Sequence, residues 1–208
     1  MSISDIETTK YTHIHYAFVM LDEDFKPYVK HAELGNWNEF VALKGSKKIV
    51  SFGGWAFSNE PGTYAIFTDS VSDANRQKFA NNVVNFMNDY GLDGVDFDWE
   101  YPGATDIPGA TGRGPNDGTN YLNFLRYMKS VMPVNKSLSM AAPASYWYLR
   151  NYPIKDMAPY LDYIVYMTYD LHGQWDYNIP SIGPQLRSLS VKQILTVLDL
   201  TVDSLGPK

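Results

Sequence analysis

Along the chain, short runs of β-branched and aromatic residues alternate with longer stretches whose apolar positions recur every three or four residues. That alternation predicts a parallel α/β fold, because parallel neighbours are joined by a crossover, usually a helix. Five strands are expected, over residues 12–20, 47–52, 94–98, 137–142 and 163–168. Between the second and third, Phe79, Val83, Phe86, Met87 and Tyr90 fall on one helical stripe, with Ser72 placed as its N-cap and Gly91 as its stop. Between the third and fourth, Leu122, Leu125, Met128 and Met132 form a second stripe closed by Pro133. Both stripes read as core packing. Residues 102–118, rich in Gly, Pro, Asp and Thr, read as a surface loop at the C-terminal end of the third strand, the end at which a parallel barrel builds its active site.

The third strand carries an unusual burden. Alternate residues of a strand share a face and lie roughly 6.6 Å apart along it. In DGVDFDWEYP this puts Asp96, Asp98 and Glu100 on one side, with Asp93, Val95, Phe97 and Trp99 on the other. Three carboxylates on one face of a buried strand repel one another and desolvate poorly, so at least one should hold a proton near neutral pH. A strand that merely faces solvent does not account for the apolar residues around them. Two chemistries suit the spacing: a general acid for glycoside cleavage, whose raised pKa lets it protonate a poor leaving oxygen, and a site for a hard divalent cation. Spacing by itself leaves both open.

Composition removes other classes. The 208 residues suit one domain, and a net charge of −6 from scattered acidic residues argues against a nucleic acid partner or an anionic membrane. With no cysteine, disulfides and thiolate metal sites are excluded, though the compartment stays open. The four histidines are dispersed; His13 and His15 share a strand face without further ligands nearby in sequence, so no histidine metal site is expected, and no cofactor is expected. The N-terminus lacks the basic start and apolar stretch of a signal peptide, and no apolar run approaches the roughly 18 residues of a membrane span. Localisation is therefore not written in the chain. Aromatic residues make up 15%, including 16 Tyr and 5 Trp, a composition that suits stacking against sugar rings.

Three motifs narrow the choice. DGVDFDWEYP supplies Asp93, Asp96, Asp98 and Glu100; SFGGW supplies Ser51, Gly53, Gly54 and Trp55; MTYD supplies Met167, Tyr169 and Asp170. In this order they resemble the signatures of glycoside hydrolase family 18, the chitinases. The phrases HIHYAF, SFGGWAFS and YDLHGQWDY are most similar to the fungal killer-toxin-like subgroup, and the likeness covers roughly residues 6–178. The resemblance implies substrate-assisted catalysis without an enzyme nucleophile. Glu100 would protonate the glycosidic oxygen between N-acetylglucosamine units while the substrate's acetamido oxygen attacks the anomeric carbon. Asp98 would bind the acetamido N–H and stabilise the oxazolinium ion, and Asp96 would share a proton with Asp98. Tyr169 and Asp170 would hold the acetamido group from the opposite wall, with Met167 lining the pocket. Gly54 would shape the cleft, and Trp55, Phe18, Tyr101, Trp175 and Trp147 are its candidate stacking surfaces, although large aromatics are more often core. The implied partner is chitin or a chito-oligosaccharide, and the folded chain is expected to be a monomer.

The same resemblance implies a (β/α)8 TIM barrel, a fold of about 250 residues. THIHYAF is similar to the family's second strand, and the pattern fades after Asp176. The expectation is an incomplete barrel holding strands 2 to 6 in residues 1–178, truncated at both ends. A divergent tail follows in 179–208, whose apolar positions suit one helix over the open edge. Unpaired strand edges would make such a chain marginally stable and impair its activity, and full-length relatives are expected to be extracellular. Two other activities fit the resemblance: an endo-β-N-acetylglucosaminidase acting on glycoproteins, and a catalytically inactive glycan-binding protein of the same fold. The intact Glu100 speaks against the second.

Overall fold

The computed structural model describes residues 3–110 and 112–169, together with the backbone of 196–199. The strands are β1 (His13–Leu21), β2 (Pro27–Tyr28), β3 (Lys47–Gly53), β4 (Gly94–Asp98), β5 (Ser137–Pro143), β6 (Tyr163–Met167) and β7 (Thr196–Asp199). They form one sheet in the order β2-β1-β3-β4-β5-β6-β7. The pairings β1–β3, β3–β4, β4–β5 and β5–β6 are parallel. These are the five strands expected from the sequence, each with ends within one residue of the forecast. Helices α1 (Leu34–Ala42), α2 (Gly54–Asn59), α3 (Ile66–Ser70), α4 (Arg76–Asp89), α5 (Asp117–Val131), α6 (Tyr146–Leu149) and α7 (Ile154–Met157) fill the connections.

Every residue of β4 and β5 is buried, as parallel strands covered on both faces require. The helix-facing side of the sheet is aromatic. Phe97 stacks on Phe52 at 5.6 Å and meets Phe124 at 5.0 Å, while Phe79 of α4 stacks on Phe124 of α5 at 4.7 Å. Trp99 extends this layer, stacked on Phe67 at 5.6 Å.

Four expectations need correction. First, α4 starts at Arg76, because the Ser72 hydroxyl donates to the Asp69 carbonyl (2.6 Å) and serves the end of α3 instead of capping α4. Its other end is as expected: Gly91 takes φ 58°, Leu92 N–H reaches the Met87 carbonyl (2.9 Å) and Gly91 N–H the Asn88 carbonyl (3.1 Å). Second, Tyr90, placed on the α4 stripe, remains 39% exposed, its ring resting against Trp37 and Phe86. Third, the loop after β4 is no simple surface connector: Ala104, Ile107, Ala110 and Arg113 are buried. Fourth, residues 196–199 of the tail make a strand and not part of a helix, antiparallel to β6. An extended segment can satisfy the free N–H and C=O groups along the β6 edge, which a helix laid over that edge would leave unpaired. At the other margin, β2 pairs antiparallel with β1.

Candidate active site

The register of the three central strands assembles the site. Ser51 of β3, Asp96 of β4 and Ser139 of β5 are lateral neighbours and share a face. The Ser51 hydroxyl donates to one Asp96 oxygen (2.9 Å) and the Ser139 hydroxyl to the other (2.7 Å). Asp96, 3% exposed, thus has both oxygens satisfied. His15 of β1 lies behind Ser51, its Nδ1 3.2 Å from the hydroxyl and 3.6 Å from Asp96 Oδ2, and its Nε2 2.8 Å from the Tyr163 hydroxyl of β6.

One pleat further, Asp98 has the opposite fate. It is 8% exposed, and its Oδ1 is buried without a hydrogen-bond partner. Burial, and then the charges of Glu100 and Asp96, push its carboxyl well above the usual range. Asp98 is therefore a carboxyl of this row held toward its protonated form. Its register partner is Gly53, where a Cβ would stand 2.1 Å from the Asp98 carbonyl oxygen, so only glycine permits the approach. Gly54, at φ 79°, is closed in by the Phe18 ring, 2.6 Å from where its Cβ would be.

Glu100 follows just beyond the strand. It is 8% exposed, and its backbone N–H donates to Ser58 Oγ of α2 at 3.0 Å. The Glu100–Tyr101 and Ala17–Phe18 peptides are both cis. Tyr101 is 7% exposed and stacks on Tyr148 at 4.3 Å, so its ring forms wall rather than open platform. Trp55 is 55% exposed, and Tyr101 meets it edge-on at 6.4 Å. Trp147, half exposed, holds its ring N–H to Asp106 at 2.9 Å. Met167 ends β6 buried, and Tyr169 packs half-buried against the same core. Asp170 and Trp175 lie outside the described residues. Under these groups, Tyr121 donates to the Phe97 carbonyl (3.2 Å) and Tyr152 to the Trp99 carbonyl (2.6 Å), both buried. Among the described residues, no three His, Cys, Asp or Glu side chains are grouped to hold a metal ion.

Sequence reasoning passed over Ser139, Ser58, Arg113 and Tyr163. Ser139 was within reach: a serine two residues after another, in an otherwise apolar buried strand, has the parity to face Asp96. The others depend on tertiary approach.

The profile of Glycosyl hydrolases family 18 matches residues 2–202. The chain belongs to glycosyl hydrolase family 18. Within the family, it is 51% identical over 176 residues to "Probable chitinase LysM18" of Penicillium expansum, covering 83% of this chain and 12% of that protein. It is 50% identical over 178 residues to "Killer toxin subunits alpha/beta" of Kluyveromyces lactis, covering 85% of this chain and 15% of the relative. Among solved family 18 structures, the Ostrinia furnacalis group IV chitinase in complex with allosamidin superposes with a TM-score of 0.73 at 30% identity, over 85% of this chain and 48% of that one. The chain thus spans a small part of the curated relatives and about half of the solved catalytic structure. The fold of these neighbours is a TIM barrel, of which the five parallel strands form a part. No helix among the described residues is long and apolar enough to cross a membrane.

Proposed function

We propose that this chain carries the catalytic centre of a chitinase, cleaving β-1,4-linked N-acetylglucosamine polymers with retention by substrate assistance. The observation that carries the reading is the division of labour along β4: Asp96 saturated by two hydroxyls, Asp98 buried with an unpartnered oxygen, and Glu100 last in the row. A buried acceptor with no donor is costly. The N–H of a substrate acetamido group would satisfy Asp98 Oδ1 and swing the acetamido oxygen toward the anomeric carbon. Glu100, backbone-held by Ser58, gives its proton to the departing oxygen and then takes one from water. Charge growing on the oxazolinium ion is balanced by Asp98, which passes its proton to Asp96 as that charge develops.

The names of relatives favour this substrate class: one is called "Secreted chitinase LysM12", and an Ostrinia furnacalis chitinase domain has been solved with a penta-N-acetylchitooligosaccharide. By the same analogy we place the whole protein outside the cell. The test is hydrolysis of chitopentaose, beside an N-glycan substrate, by the chain and its Glu100→Gln variant. Loss of roughly 10²–10⁴-fold in kcat, the span of a general acid, with chitopentaose binding retained, is expected. Equal rates in the two proteins would refute Glu100 as donor, and faster cleavage of the N-glycan would redirect the substrate.

A further inference from the structure

Arg113 is buried near Asp117 but forms no ion pair among the described residues. It comes from the loop between β4 and α5 and is 7% exposed. Its Nη2 donates to the Ser58 carbonyl and, at 3.0 Å, to Asn59 Oδ1. Its Nε and Nη1 have no hydrogen-bond partner, and no ion pair reaches it among the described residues. The nearby Asp117 carboxylate is engaged by the N–H groups of Gly103 (2.9 Å) and Gly114 (3.1 Å). Desolvating a guanidinium that makes no direct ion pair costs free energy, so stability is a poor reason for this residue.

The identity of the two acceptors supplies a better one. Ser58 receives the backbone N–H of Glu100 on its hydroxyl (3.0 Å), and Asn59 donates from Nδ2 to the Trp55 carbonyl (2.9 Å). One guanidinium therefore grips the two residues that end α2. One of them holds the backbone of the acid, and the other holds the backbone under the exposed Trp55 ring. Glu100 also lies within electrostatic reach of Arg113, together with Asp117, Tyr152 and Tyr148. Resting on the hydrolytic role of Glu100, we infer that Arg113 is a positioning residue that locks the proton donor and the Trp55 platform into one unit through Ser58 and Asn59.

Hydrogen exchange of the full chain, read by mass spectrometry at the Glu100 amide, tests the clamp independently of turnover. Arg113→Met and Ser58→Ala should each raise exchange there about tenfold or more while β5 amides keep their protection, as local opening requires. Arg113→Lys, with one ammonium to share between the two acceptors, should lie between Met and wild type. In turnover of chitopentaose, Arg113→Met should lose about tenfold or more in kcat with a smaller change in KM, the mark of a misplaced acid. If Arg113→Met does not fold, the Lys and Ser58 variants carry the same readout. Unchanged exchange at Glu100, or exchange raised evenly across β4 and β5, would overturn the clamp. A chain that cleaves no chitin yet shows the local exchange pattern would reject the hydrolytic role and leave the clamp standing.

Discussion

The two faces of β4 do opposite things with the same five-residue length. Toward the helices, Val95, Phe97 and then Trp99 are fully buried among aromatic rings. Toward the other side, Asp96 and Asp98 are nearly as buried but surrounded by hydroxyls and by each other's charge. Side-chain alternation along a strand makes this possible: one backbone serves packing and chemistry without either set of side chains crossing the sheet. The aromatic face supplies the stability that the carboxylate face spends. It follows that substitutions on the two faces should separate folding from function.

The largest effect is expected on the packed side. Phe97 has no exposed surface and touches Phe52, Phe79 and Phe124. Phe97→Ala should cost about 3–5 kcal/mol of unfolding free energy, since four stacked elements cannot collapse into the space left behind. Urea denaturation measures it. A loss under about 1 kcal/mol would mean that the aromatic layer is not what holds β4 in place.

On the carboxylate side, Asp98→Asn should invert that result. Activity on chitopentaose should fall roughly 10²–10³-fold, as when a preorganised electrostatic partner is removed, while the fold gains stability. The sign follows from the direction of the shift. Asp98 is held above its ordinary value by burial, Glu100 and Asp96. Below the ordinary aspartate range both folded and unfolded chains are protonated at this position, and nothing is lost. As pH rises from that range toward the raised folded value, the unfolded chain ionises first, and folding stability declines. Asn removes this decline, so the variant should match wild type in acid and exceed it increasingly toward neutral pH. Parallel urea titrations across that window decide the matter; an Asn variant less stable at neutral pH would show that the Asp98 charge is compensated in the fold.

The contrast between the faces also explains what could be read in advance. Strand positions, the parity of Asp96, Asp98 and Glu100, and the stop at Gly91 depend on neighbours a few residues away, where periodicity and glycine geometry act directly. Ser72 has the residue type of an N-cap for α4, but its hydroxyl donates to the Asp69 carbonyl near the end of α3. Residues 196–199 pair as a strand; a short apolar stretch suits an open edge as well as a helix face, and its sequence does not distinguish the two. Arg113 was invisible in a loop of glycines and prolines: its partners, Ser58 and Asn59, lie 55 and 54 positions away. His15 and Tyr163, 148 positions apart, meet only because the sheet brings β1 and β6 toward one site.

The two serines on Asp96 offer a finer separation within the carboxylate face. Ser139 is the hydroxyl donor to Oδ1, whereas Oδ2 has Ser51 and, at 3.6 Å, His15 Nδ1. Removing Ser139 takes away the hydroxyl that donates to Oδ1, a loss of about 1–3 kcal/mol. Removing Ser51 opens space in which the His15 ring, already 3.2 Å from that hydroxyl, can approach Oδ2 and restore a charge-assisted bond. Ser139→Ala should therefore destabilise more than Ser51→Ala in urea titrations. Equal costs, or the reverse order, would show that His15 does not act as a reserve donor and that the two oxygens of Asp96 are held alike.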